Sequence, residues 1–91
     1  MKNKTYNFFS DSGHGWLEVP KADLRALGIA EYISPYSYQN GLNAYLEEDM
    51  DVTTFFKAYK EEFGYYPKSE EDAERGYEEE SRIRDYDHYD E

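Results

Sequence analysis

The sequence predicts a small α+β domain in which two β-hairpins build an antiparallel sheet and two helices cover one of its faces, in the order ββαββα. Three observations carry that prediction. A run of β-formers, "TYNFFS", breaks at the turn-rich "DSGHG" and resumes as "WLEV". The pair Asn40-Gly41 marks a second hairpin. Val52, Phe55, Phe56, Tyr59 and Phe63 fall on one stripe of a helix.

In chain order, residues 5–10 and 16–19 are the first hairpin, joined by a four- or five-residue loop and closed by Pro20. "KADLRALGI" then sets Leu24 and Leu27 on one helical face, with Gly28 as the residue just past the helix and Ile29 as the apolar residue after it, which predicts a short helix over 21–27. A two-residue turn at Asn40-Gly41 would set Gln39 opposite Leu42, Ser37 opposite Ala44 and Tyr36 opposite Tyr45. Leu42, Ala44 and Leu46 then face the core. Tyr36, Tyr38, Asn43, Tyr45 and Glu47 form the other, partly wet face. Asp51 is the expected N-cap of the next helix, which Gly64 ends.

These elements define a compact domain over residues 1–65, followed by an acidic, Tyr- and Glu-rich segment over 66–91. Ser69 with Asp72 resembles a capping box with a shorter acid, and Glu70 and Glu71 suit a helix N-terminus, so a helix near 70–80 is expected. Only Ala73, Tyr77 and Ile83 offer it anything to bury. "SRIRDYDHYDE" is read as an extended end, either an added strand or a mobile tail.

A chain of 91 residues buries a small core, and with eleven Tyr, five Phe and Trp16 that core must be largely aromatic. The absence of cysteine excludes disulfides, thiolate zinc sites and a Cys nucleophile. "MKNKTYNFFSD" has no apolar run of signal-peptide length, and no stretch approaches the roughly 20 apolar residues of a membrane span. A soluble, cytoplasmic protein without cofactors is expected.

The formal net charge is −11, and all of it lies in the second half. Residues 1–46 hold four acids and four bases; residues 47–91 hold seventeen acids and six bases, and 6 − 17 gives −11. Such a field repels nucleic acid and anionic membranes and attracts basic surfaces.

The string "FFSDSGHGWLEVPKADLRALGIAEYISPYSYQNGLNAYLEEDMDVTTFFKA" resembles a group of small phage and mobile-element proteins. The shared pattern is an "SD-x-GHGW-L-x-VP" hairpin, an "LGIA" helix end, a "YSYQ-x-G" turn and "YLEED-x-D" before an apolar helix, over roughly residues 8–58. "SRIRDYDHY" looks like a degenerate form of the Ser-x-x-Arg-Ser-aromatic ending of those proteins, while "YYPKSEEDAERGYEEE" departs from the pattern. The resemblance implies a phage or prophage origin in a bacterial host and an inhibitor of host defence, anti-CRISPR or antirestriction.

Several clusters have the residue types of a site. Asp11, Ser12 and His14 contain those of a hydrolase triad, but crowded into one turn they have no room for an oriented base and an oxyanion hole around one atom. A hydrogen-bonded turn is the expected reading. "EEDMD" lacks the spread of ligands a calcium loop needs. Asp85, Asp87, His88 and Asp90 promise only adventitious metal binding. Trp16 with Phe8, Phe9, Phe55 and Phe56 is expected as core rather than a ligand cage. No catalytic residue and no metal site are assigned.

The charge cluster carries the functional expectation: an inhibitor, not an enzyme, that binds the basic nucleic-acid-binding surface of a host defence protein or nucleoprotein complex as a DNA mimic. Its expected interface is Glu47, Glu48, Asp49, Asp51, Glu61, Glu62, Glu70, Glu71, Asp72, Glu74, Glu78, Glu79 and Glu80, with Tyr36, Tyr38 and Tyr45 as a neutral patch. Duplex DNA carries one charge per roughly 1.7 Å, so a net charge of eleven matches about 19 Å of duplex. A homodimer would double that span. The alternatives are a small catalytic or ligand-binding protein working from the His14 loop, and a phage structural or assembly protein.

Overall fold

The computed structural model describes residues 4–71 and 81–91. Strands β1 (Thr5–Ser10) and β2 (Gly15–Pro20) form the first hairpin, helix α1 (Lys21–Ala26) follows, and strands β3 (Tyr38–Asn40) and β4 (Asn43–Glu47) form the second hairpin before helix α2 (Asp51–Phe63). Strands β5 (Lys68–Glu71) and β6 (Asp87–His88) lie at opposite edges of one six-stranded sheet of order β5-β1-β2-β4-β3-β6. The class is α+β, as the sequence predicts. The element order gains two strands, and the sheet is mixed, because β5 runs parallel to β1 from Thr5 opposite Lys68 to Phe8 opposite Glu71.

That fifth strand replaces the start of the helix expected near residue 70. Ser69 is a strand residue, not a helix cap, and the rest of that expected helix, residues 72–80, lies outside the described residues. Pairing along β1 satisfies backbone groups that a helix with few apolar positions has no packing to support. All four residues of β5 are exposed, and their charges blunt the new sheet edge.

The second hairpin corrects the expected register. Asn40 pairs with Asn43, Gln39 with Ala44 and Tyr38 with Tyr45, so Gly41 and Leu42 are the turn. Gly41, with φ +60°, takes the first turn position, where a type II′ turn favours glycine. Leu42 is therefore 84 % exposed rather than in the core, while Ala44 and Leu46 are fully buried. Packing selects this register: it aligns Tyr38 beside Trp16, with ring centroids 6.2 Å apart, and Lys21 N–H donates to the Leu42 carbonyl at 2.9 Å.

Helix α2 buries Phe55 and Tyr59 completely, with Val52, Phe56 and Phe63 half-buried around them. Gly64, at φ +83°, ends it as predicted, its N–H bonded to the Lys60 carbonyl at 2.8 Å. At the other end the expected cap is absent: Met50 precedes the helix, and no side chain caps it. Asp51 instead turns into the loop before β3. Its carboxylate accepts from Ser34 N at 3.1 Å, Ser34 Oγ at 2.6 Å and the Ser37 hydroxyl.

Two apolar layers sandwich the sheet. On the helical side Tyr6, Leu17, Val19, Ala44 and Leu46 meet Leu24, Phe55 and Tyr59. Tyr6 sits edge-on to both Phe55 and Tyr59, at 5.1 and 6.4 Å, and each such pair adds about 1 kcal/mol beyond area burial. On the opposite side Phe9, Trp16 and Tyr45 are covered by Ile83 from the 3₁₀ turn Arg82–Asp85, with Tyr38 and Tyr86 at the margin. Beyond β6 the chain returns to the first layer. There Tyr89 donates its hydroxyl to the Ala30 carbonyl at 2.6 Å.

Candidate functional site

Side chains alternate between the two faces of a sheet, so Trp16 on β2 and Glu47 on β4, directly opposite in the pairing, share the face that the C-terminal segment covers. The turn after β1 brings His14 to the same end. Its Nδ1 lies 3.4 Å from Glu47 Oε1, and its ring is 6.2 Å from Trp16. Glu47 is held on two sides. Its backbone N–H donates to Ser37 Oγ at 2.9 Å, and its Oε2 accepts from Asp49 N at 2.8 Å.

These groups open onto a cleft of about 310 Å³. Trp16, Tyr36, Tyr38 and Met50 give it apolar walls, and His14, Glu47, Asp49 and Arg84 give it its polar groups. Gly15, between His14 and Trp16, is required by a close approach, since a β-carbon there would collide with the Phe8 ring.

Asp11 builds the His14 turn. Its Oδ1 accepts from the backbone N–H of Gly13 at 2.9 Å and of His14 at 3.0 Å, while Oδ2 accepts from Ser81 N at 2.9 Å. Arg84 adds a two-pronged contact to the same carboxylate and lays its guanidinium 5.2 Å over the Trp16 ring. The Arg84 hydrogen bond, helped by those backbone donors, outweighs the desolvation of this enclosed carboxyl and holds its pKa far below the ordinary carboxylate range. Asp11 is thus committed to structure, and the His14 ring faces Glu47 and Trp16. The hydrolase-like set of Asp11, Ser12 and His14 is a turn, as the sequence reading expects.

The expected interface residues separate into three groups. Glu48, Asp49, Glu61, Glu62, Glu70, Glu71 and Tyr36 are exposed, and Tyr38 is half-buried. Glu47, Asp51 and Tyr45 are buried: Glu47 lines the cleft, Asp51 binds Ser34 and Ser37, and Tyr45 donates its hydroxyl to Glu18 Oε2 at 2.9 Å. Asp72, Glu74, Glu78, Glu79 and Glu80 lie outside the described residues. The described acids do not form one uniform patch. Glu61 shares a shallow depression on α2 with Lys57 and Lys60, whose ammonium lies 4.5 Å over the Tyr66 ring.

Near the C-terminus Asp85, Asp87, His88 and Asp90 do not converge. His88 stacks on Tyr38 at 5.0 Å, with Nδ1 2.9 Å from the Pro35 carbonyl, and Asp87 pairs with Gln39 in the sheet. Sequence reasoning missed the contribution of Trp16, Met50 and Arg84 to a shared cleft with His14. The available signal was period-2 alternation, which sets Trp16 on the face opposite Leu17 and Val19; its neighbour Glu47 follows only from the β2–β4 pairing. No protein-family model, curated protein or solved structure matches the chain.

Proposed function

We propose that this chain is a binding protein without catalytic chemistry of its own, which docks on a basic, nucleic-acid-contacting surface of a host defence complex, such as a CRISPR effector or restriction enzyme, and competes with nucleic acid for it. The observation that carries the reading is the cleft mouth, where Tyr36 and Met50, 66 % and 47 % exposed, stand beside the exposed Asp49. Such a combination suits an incoming Lys or Arg. The ring supplies contact area and cation–π attraction, and the carboxylate pairs with the charge. Exposed Glu48, Glu62, Glu70 and Glu71 and the net charge of −11 favour encounter with a basic surface. The resemblance to phage and mobile-element proteins supplies the class of target.

The test is capture of a purified CRISPR effector or restriction enzyme at about 50 mM and about 300 mM salt, a range over which charge-driven binding weakens steeply. Retention at low salt, release at high salt and displacement by duplex DNA are expected. Tyr36→Ala combined with Glu48→Lys should cost about 2 kcal/mol of binding. Retention indifferent to salt, DNA and both substitutions overturns the reading. The alternative, a ligand-binding or catalytic protein working from His14, has the His14–Glu47 contact in its favour. It expects His14→Ala alone to abolish function while the Tyr36 and Glu48 variants stay active.

A further inference from the structure

We propose that His14, Glu47 and Asp49 form a binding site for a first-row divalent metal ion, zinc foremost. One nitrogen or oxygen atom from each residue comes within 4.8 Å of the other two, the set of this kind found among the described residues. The tightest pair, His14 Nδ1 and Glu47 Oε1, is 3.4 Å apart. That is long for a hydrogen bond, whose N···O distance runs to about 3.2 Å. It matches two ligands of a tetrahedral ion with bonds of about 2.1 Å, which stand about 3.4 Å apart.

The donor set also selects the ion. Two carboxylates neutralise a dication, and an imidazole favours zinc and its neighbours over calcium or magnesium, which prefer oxygen alone. Three protein ligands leave a fourth position open to the cleft, the arrangement of zinc sites that take a further ligand. The surroundings hold the ligands in place. Asp49 N–H, bonded to Glu47 Oε2, orients the carboxylate so that Oε1 faces His14, and Asp11 fixes the backbone of the His14 turn. Arg84, a cation that lines the same cleft, is bound to the Asp11 carboxylate.

A second observation points to an occupant. Trp16 is 2 % exposed and lines the cleft, and its Nε1–H is a buried donor without an acceptor among the described residues. Buried donors are nearly always paired, and an ion or its bound water is one recognised reason for an exception.

Both this site and the docking reading use the Asp49 carboxylate, but metal binding is read without a partner, so the failure of either is seen separately. The full chain, expressed without a histidine tag and stripped with chelator, is titrated with Zn²⁺ by calorimetry and with Co²⁺ by visible absorption, with Mg²⁺ as the control. One equivalent of Zn²⁺, a Co²⁺ spectrum of low coordination number and no heat from Mg²⁺ are expected. His14→Ala and Asp49→Asn change exposed residues and should each weaken Zn²⁺ binding more than tenfold with the circular dichroism unchanged. His88→Ala should leave it unaltered. Native affinity in the His14 or the Asp49 variant, loss only in the His88 variant, or no stoichiometric binding overturns the site.

Discussion

Arg84 reaches back seventy-three residues to Asp11 and grips one carboxylate with two nitrogens, Nε to Oδ2 at 2.6 Å and Nη2 to Oδ1 at 3.1 Å. The Asp11 side chain is fully enclosed, and the same carboxylate shapes the turn that carries His14. The C-terminal segment is therefore part of the cleft's construction. It covers the second apolar layer through Ile83 and steadies the His14 end of the sheet through Arg84.

Removing the guanidinium leaves an enclosed carboxylate without its charged partner. Arg84→Ala should cost about 3 kcal/mol of stability, read as a lower urea midpoint, because an uncompensated buried charge is far more expensive than a lost surface pair. A cost within about 0.5 kcal/mol would mean that the C-terminal segment does not hold this position in solution.

The same pair sets an acid limb. The folded pKa of Asp11 lies far below its ordinary value of 3.8, so its stabilisation is complete above that value and is lost as pH falls below about 4 toward the folded pKa. Urea unfolding between pH 6 and pH 2 should show stability dropping more steeply in the native chain than in Arg84→Ala.

Asp51 is expected to matter as a buried acceptor rather than a helix cap or an interface acid. Asp51→Ala should destabilise by about 3 kcal/mol, since it strands donors at Ser34 and Ser37, whereas loss of an ordinary cap costs about 1 kcal/mol. Thermal unfolding of Asp51→Ala beside Ser34→Ala separates the two sizes.

The hairpin register has a direct check at Leu42. In the observed register this side chain is 84 % exposed, so Leu42→Ser should change stability by less than about 0.5 kcal/mol. The register with Asn40-Gly41 as the turn would bury it and make the same substitution cost about 2 kcal/mol.

Tyr6, Tyr45 and Tyr89 should resist ionisation in the folded protein. Burial raises the pKa of each above 10, and neighbouring carboxylates add to it: Asp23 beside Tyr6, Glu18 beside Tyr45, Glu91 near Tyr89. Their folded pKa values exceed the unfolded one, so this stabilisation is fully present below about pH 10 and is lost as pH rises further. An absorbance titration at alkaline pH should show some of the eleven tyrosines ionising only as the chain unfolds, and one smooth transition for all of them would contradict the burial.

Local signals were enough for β1, β2, α1 and α2 and for the core positions Ala44, Leu46, Phe55 and Tyr59, because each rests on a short window of chain. Gly28 and Gly64 end helices through left-handed backbone, the Val52 to Phe63 stripe is a local period, and β-formers flank the "DSGHG" turn. The remainder was set by contacts between distant parts of the chain. The Asn40-Gly41 preference yielded to the register that seats Tyr38 against Trp16. Lys68–Glu71 became a strand because β1 offered an open edge, and the C-terminal residues were fastened by Ile83, Tyr89 and the Arg84–Asp11 pair. The cleft was the least legible feature, since His14, Trp16, Tyr36, Glu47 and Arg84 come from four distant stretches of chain. Their meeting depends on the β2–β4 register and the folded-back end, neither of which any local pattern of residues encodes.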